Sequence, residues 1–185
     1  MPLIPFQVQL EAALASFPRI DALMQTDWAW PIVESIHFVG LTLLFGSIAA
    51  WDLRLLGFAK QVPIAAFHRL VPFAILGFAI NATSGAFFLM TDPDQYVYNP
   101  AFHLKMLCVM LAGANAGLFY LTMFRRVKRL EPGAQGSVLI RLSGAVSLVL
   151  WITVIICGRM ITFYRPYGVC RADEVVDFLA QCIVR

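Results

Sequence analysis

The chain has 185 residues, of which 60% are hydrophobic and only 14% charged, and its mean hydropathy is +0.76. Soluble domains carry roughly a quarter of their residues as charges, so this composition excludes a water-soluble globule. At this length it also leaves no room for a separate soluble catalytic module. The net charge of +3 matters through its distribution: Arg54, Lys60 and Arg69 form one basic stretch, and Arg125, Arg126, Lys128, Arg129 and Arg141 a second, with only Asp52 and Glu131 among them. Each stretch flanks an apolar run, which is the pattern of a membrane topology signal and not of a nucleic-acid surface.

In chain order, Ile4 to Met24 places Phe6, Leu10, Leu14, Phe17 and Leu23 near helical spacing, with Gln7, Gln9, Glu11, Arg19 and Asp21 between them. An amphipathic helix on the outer membrane surface is expected; without a basic leading region it does not read as a cleaved signal peptide. Asp27, Trp28 and Trp30 form an aromatic interfacial approach. Four apolar stretches follow, at about Trp30–Trp51, Leu70–Met90, Phe102–Phe124 and Leu142–Tyr164. Each is long enough to span about 30 Å of hydrocarbon, which takes roughly 20 residues.

The segments lack barrel-strand alternation, so helices are expected. The predicted fold is an all-α integral membrane four-helix bundle with short amphipathic interfacial helices at both ends: residues 1–29 as the outer approach, 30–164 as the bundle and 165–185 as an outer tail. Asn99-Pro100 reads as the N-cap and first turn of the third crossing. Glu131 to Gly136 breaks the chain before the fourth, Arg165-Pro166-Tyr167-Gly168 turns after it, and Ala172 to Val184 repeats the amphipathic pattern. With the basic connections cytoplasmic, the expected location is a bacterial inner membrane with both termini periplasmic.

Cys108 and Cys157 fall inside predicted helices, where cysteine usually packs as a small residue. Cys170 and Cys182 fall in the outer tail; a disulfide there and two free thiols are both open, and the spacing does not suit a zinc knuckle.

Ionisable groups at membrane depth are costly and mark function by default. Glu34 and His37 share a face of the first helix, His103 and Lys105 begin the third, and Arg159 lies near the outer end of the fourth. In a functional reading, His37 ligates the iron of heme b as neutral imidazole, and Lys105, Arg159 or Arg165 pairs with the propionates. Gly40, Gly46, Gly77, Gly85, Gly113 and Gly117 would open an apolar slot. In a structural reading, Glu34 pairs with Arg159 or Lys105, His37 bonds within the bundle and the glycines allow close packing. His103 is the candidate second ligand, although it counts about two turns shallower than His37, an offset of roughly 9 Å. His68 precedes the second helix on the cytoplasmic side and reads as interfacial. Asn81, Thr83, Ser84, Asn115, Ser143 and Ser147 are expected to bond across helices or back to helical carbonyls; none shows the acidic or basic partner that a proton relay needs.

The run His37-Phe38-Val39-Gly40 followed by Asp52-Leu53-Arg54-Leu55-Leu56-Gly57 resembles the first helix of a superfamily of small bacterial membrane proteins. That group includes the HemJ-type protoporphyrinogen oxidases and the copper-resistance D-type proteins. Arg69-Leu70-Val71-Pro72 with Thr83 to Gly85 is similar to its second helix, and Phe102-His103-Leu104-Lys105-Met106-Leu107 to its third. The resemblance covers roughly Trp30 to Phe163 and lies nearest an uncharacterised four-helix branch. It implies that His37 can bind heme b and that Lys105 is coupled to it. HemJ-type members carry a further histidine near the position of Asn115, which departs from that pattern.

The resulting expectation is a heme-b protein passing electrons between an outer partner and the quinone pool, as a complex subunit or homodimer. His37 and His103 would ligate the metal, and Lys105 and Arg159 would hold the propionates. A cofactor-free accessory or assembly subunit and a HemJ-like oxidase of an apolar substrate are the alternatives; the oxidase lacks a second acid or base at matching depth.

Overall fold

The computed structural model describes residues 9–10, 12–14, 22–24, 26–128, 133–134 and 136–163. Most of the leading amphipathic segment and half of the 131–136 break lie outside the described residues, as do the whole tail beyond Phe163, Arg165 and the Cys170 and Cys182 thiols. The described elements are α1 (Ala29–Leu56), α2 (Ile64–His68), α3 (Val71–Thr91), α4 (Pro93–Val97), α5 (Pro100–Thr122), α6 (Phe124–Val127) and α7 (Val138–Phe163). Four helices, α1, α5, α7 and α3 with the turn before it, are long and apolar enough to cross a membrane. No more than 22% of the most apolar window of any of them is buried inside the protein. Large apolar side chains such as Ile75, Met110, Leu121 and Val149 therefore point outward, as lipid contact requires.

The main contacts join α1 to α3, α1 to α7 and α5 to α7, so α1 and α7 form the middle of the bundle and α3 and α5 its flanks. Glycine sets the closest of these crossings. A Cβ on Gly77 would lie 2.5 Å from the Leu44 nitrogen and 2.6 Å from the Gly40 carbonyl oxygen, which brings the α1 and α3 backbones into direct contact. Where α1 meets α7, a Cβ on Gly144 would lie 3.2 Å from the Asp52 carbonyl oxygen. Leu44, Cys108, Ala112, Trp151 and Val154 fill the middle of the bundle, and Leu55, Ile64, Phe119, Val127 and Ile140 fill the basic end.

Helix α1 runs past its apolar stretch. The sequence predicts an end near Trp51, whereas the helix continues to Leu56 and closes on Gly57 at φ 104°. Gly57 donates to the Arg54 carbonyl and Phe58 to the Leu53 carbonyl, which together form a Schellman cap. The extra turn carries Asp52 and Arg54, each only 3% exposed. Arg54 turns into the following loop, donating from Nε to the Val62 carbonyl at 3.0 Å and from its guanidinium to the Lys60 carbonyl at 3.1 Å. Gly133 donates to that same Lys60 oxygen, so the two basic connections meet.

At the opposite end, Asn99 caps α5 as expected: its Oδ1 accepts from the Ala101 nitrogen at 2.9 Å. Its Nδ2 also donates to the Ile161 carbonyl at 3.2 Å, which ties the start of α5 to the end of α7.

Candidate functional site

His37 lies in the third turn of α1, half-buried against α3. Its Nδ1 is 2.7 Å from Ser84 Oγ, and that hydroxyl is in turn 2.7 Å from the Ile80 carbonyl oxygen. A serine has one proton and a carbonyl only accepts. The assignment that places a proton in both short contacts has Ser84 donating to Ile80 and His37 Nδ1–H donating to Ser84. The Nε2 atom then carries the lone pair and has no hydrogen-bond partner among the described residues. A histidine held through its other nitrogen in this way has the tautomer and the fixed orientation that metal ligation uses.

The surroundings hold the ring in place. Phe88 meets it edge-on at 5.7 Å and is itself packed on Trp30 at 4.9 Å. Asn81 Nδ2 lies 3.3 Å from the His37 carbonyl and 3.2 Å from the Gly77 carbonyl. A Cβ on Gly85 would come no nearer than 4.0 Å to His37 Cε1, so the ring edge keeps its space. A shallow groove of about 380 Å³ runs alongside between α1 and α3, lined by Val33, Ile36, Ile80, Thr83, Ser84 and Phe87 among others.

Lys105 reaches from α5 toward α7, where a Cβ on Gly158 would sit 3.7 Å from its Nζ. No carboxylate pairs with it among the described residues. The expected pairing of Glu34 with Lys105 or Arg159 is not formed: Glu34 is exposed on α1, and Arg159 is exposed with its guanidinium 5.2 Å over the Phe163 ring. His103 is also exposed. Its Nε2 lies 2.9 Å from the Val97 carbonyl and must carry a proton to bond there. His103 stands three residues into α5 and His37 eight into α1, which keeps an axial offset of about 7 Å between them. His37 is held by Ser84 on α3 and Lys105 reaches toward α7, while His103 and Arg159 are engaged elsewhere.

The glycines divide differently from the expected slot. Gly40 and Gly77 are consumed in the α1–α3 contact, and Gly46, Gly113 and Gly117 have nothing within 4 Å of a Cβ. Gly85 alone of the six borders His37.

The polar residues bond across helices as expected, with Ser143 Oγ donating to Asn115 Oδ1 and Asn115 Nδ2 donating to the Ser143 carbonyl, both at 3.1 Å. The expectation that none has an ionisable partner is corrected at two places. Ser84 holds His37, and Ser147 on α7 lies beside the Asp52 carboxyl. Sequence reasoning treated Asp52 as part of a topology signal; its buried position depends on the extra turn of α1. His68 lies at the basic end among Trp51, Tyr120 and Phe124, with ring centroids at 6.0, 6.3 and 4.9 Å.

Among the described residues no three His, Cys, Asp or Glu side chains gather to hold a bare metal ion. A cofactor that brings its own equatorial ligands needs only one or two protein donors. The fold and site therefore define a multi-pass membrane four-helix bundle with one pre-oriented histidine and one unpaired lysine at the end opposite its basic loops. Comparison with family models, curated proteins and solved structures returns no match.

Proposed function

We propose that the protein binds heme b and carries electrons between a redox partner at its outer face and the membrane quinone pool, as a subunit of a complex or as a homodimer. The single observation that supports the reading is the 2.7 Å His37–Ser84 contact, which, with the proton on Nδ1, leaves Nε2 free to ligate. In this reading the basic end faces the cytoplasm of a bacterial inner membrane, and His37 lies in the periplasmic half.

His37 would hold the iron, Ser84 would hold the imidazole, and Phe88 and Trp30 would shield it from water. Lys105, with no carboxylate of its own, supplies the positive charge that a propionate needs in a medium of low dielectric. Heme b bound there supplies one-electron chemistry; the protein's part is to bind, orient and insulate it. His103 would become a second ligand through Nε2 only by giving up Val97, so the reading takes His37 as the sole donor from this chain.

The test is a visible spectrum, oxidised and reduced, of protein purified after heme-supplemented expression. A b-type spectrum that is lost in His37→Ala and kept in His103→Ala is expected. Colourless protein would sink the reading and return the chain to a cofactor-free accessory role. Porphyrinogen oxidation by the purified protein, abolished in His37→Ala, would instead favour the oxidase.

A further inference from the structure

The basic end of the bundle holds a second polar centre that the heme reading does not use. Asp52 is 3% exposed and lies in the penultimate turn of α1, about 6 Å along the axis from its end. The Ser147 hydroxyl faces its carboxyl, while Oδ2 is fully buried without a hydrogen-bond partner in the protein. The backbone of α7 packs against the Asp52 backbone at Gly144. A buried carboxylate with one oxygen unsatisfied is costly unless something neutralises it.

No charged side chain of the surrounding elements does so. On α1 itself, Arg54 is turned away into the carbonyls of Lys60 and Val62. On α2, His68 packs its ring on Trp51 and Phe124, and Arg69 just beyond it is exposed. On α6, Arg125 and Arg126 are exposed and the following Lys128 lies over the Phe124 ring; on α7, Arg141 is exposed. A metal cation would require a shell of several oxygens, whereas no cluster of three His, Cys, Asp or Glu side chains exists among the described residues. The one cation that a single carboxyl oxygen can hold alone is a proton.

We propose that Asp52 is a proton-binding site of the basic half of the bundle, holding one exchangeable proton on Oδ2 with Ser147 as its hydrogen-bonding neighbour. On uptake, an O–H bond forms at Oδ2 as a hydronium ion from the basic side gives up its proton and becomes water. On release, the negative charge left behind faces the α1–α7 contact at Gly144 and Ser147, so occupancy is coupled to how closely those helices pack. The polar track continues from Ser147 to Ser143, one turn along α7, and across to Asn115 on α5. The inference stands on Asp52 and its neighbours alone and does not depend on heme.

Infrared spectroscopy of the full chain in lipid bilayers at neutral pH tests it. The expected result is a carbonyl-stretch band of a protonated carboxyl that moves when the sample is transferred to D2O. Asp52→Asn, which keeps the shape without the exchangeable acid, removes this band, and Ser147→Ala shifts it to higher frequency. If Asp52→Asn fails to fold, wild-type protein with carboxyl-13C aspartate replaces it, and the band must move with the label. No protonated-carboxyl band, or one unaffected by the substitution or label, overturns the proposal. So does sodium-dependent thermal stabilisation of wild type that is absent in Asp52→Asn, which would make the occupant a metal cation.

Discussion

Replacing Gly77 by alanine places one methyl group where α1 and α3 touch. The added Cβ would meet the Leu44 nitrogen at 2.5 Å and the Gly40 oxygen at 2.6 Å. Both are backbone atoms, so no side-chain rotation relieves the contact, and the helices must separate by about 0.9 Å to restore an ordinary 3.4 Å spacing. Overpacking of this kind costs about 1–3 kcal/mol, or about 5- to 150-fold in the folding equilibrium. The same separation stretches the His37–Ser84 bond from 2.7 Å beyond hydrogen-bonding range, so the defect extends to the proposed ligand. The assay is reversible denaturant titration in mixed micelles, with heme retention read in parallel. Gly113→Ala, at a position with nothing within 4 Å, is the control and should be neutral or slightly stabilising. Equal stabilities for the two variants would refute the reasoning that Gly77 sets the α1–α3 contact.

Ser84→Ala should leave the bundle folded but loosen His37, lowering heme affinity about 10- to 100-fold in a titration of apoprotein. Unchanged affinity would remove Ser84 from the site. Arg54→Met frees the Lys60 and Val62 carbonyls and should destabilise by about 2–3 kcal/mol in the same denaturant titration, with proteolysis appearing first between Gly57 and Pro63. Asn99→Ala loses the α5 cap and the tie to Ile161, at a cost of about 1–2 kcal/mol. A double-mutant cycle on Asn115→Ala and Ser143→Ala should give a coupling of about 0.6 kcal/mol.

The crossings were legible because about 20 apolar residues in succession have one outcome in lipid, and Asn99-Pro100 carried its own chemistry as a helix start. The end of α1 was not legible, since hydropathy stops at Trp51 while the helix stops at Gly57. A charged turn facing protein has the same composition as a charged loop facing water, and only the position of α7 distinguishes them. The glycines left both a slot and close packing open for a related reason. A residue without a side chain marks either a place where backbones meet, as at Gly77, or a place where nothing meets, as at Gly113. His37 could be singled out by its rarity at depth, but its tautomer depends on a hydroxyl 47 positions away in sequence.

The two polar centres share one organising element. His37 and Asp52 both belong to α1, which packs on α3 and α7, and each is met by a single serine hydroxyl: Ser84 from α3 and Ser147 from α7. Fifteen residues of helix separate them by about 22 Å, too far for either to act on the other through contact. What connects them is the rigidity of α1, whose approach to α3 is set by Gly77 and to α7 by Gly144. A change in charge at Asp52 can therefore reach His37 through space or as a movement of α1 as a whole. Asp52→Asn, by keeping that centre uncharged, should then alter the pH response of the His37 spectrum relative to wild type. An alkaline spectral response identical in wild type and Asp52→Asn would show that the two ends work independently.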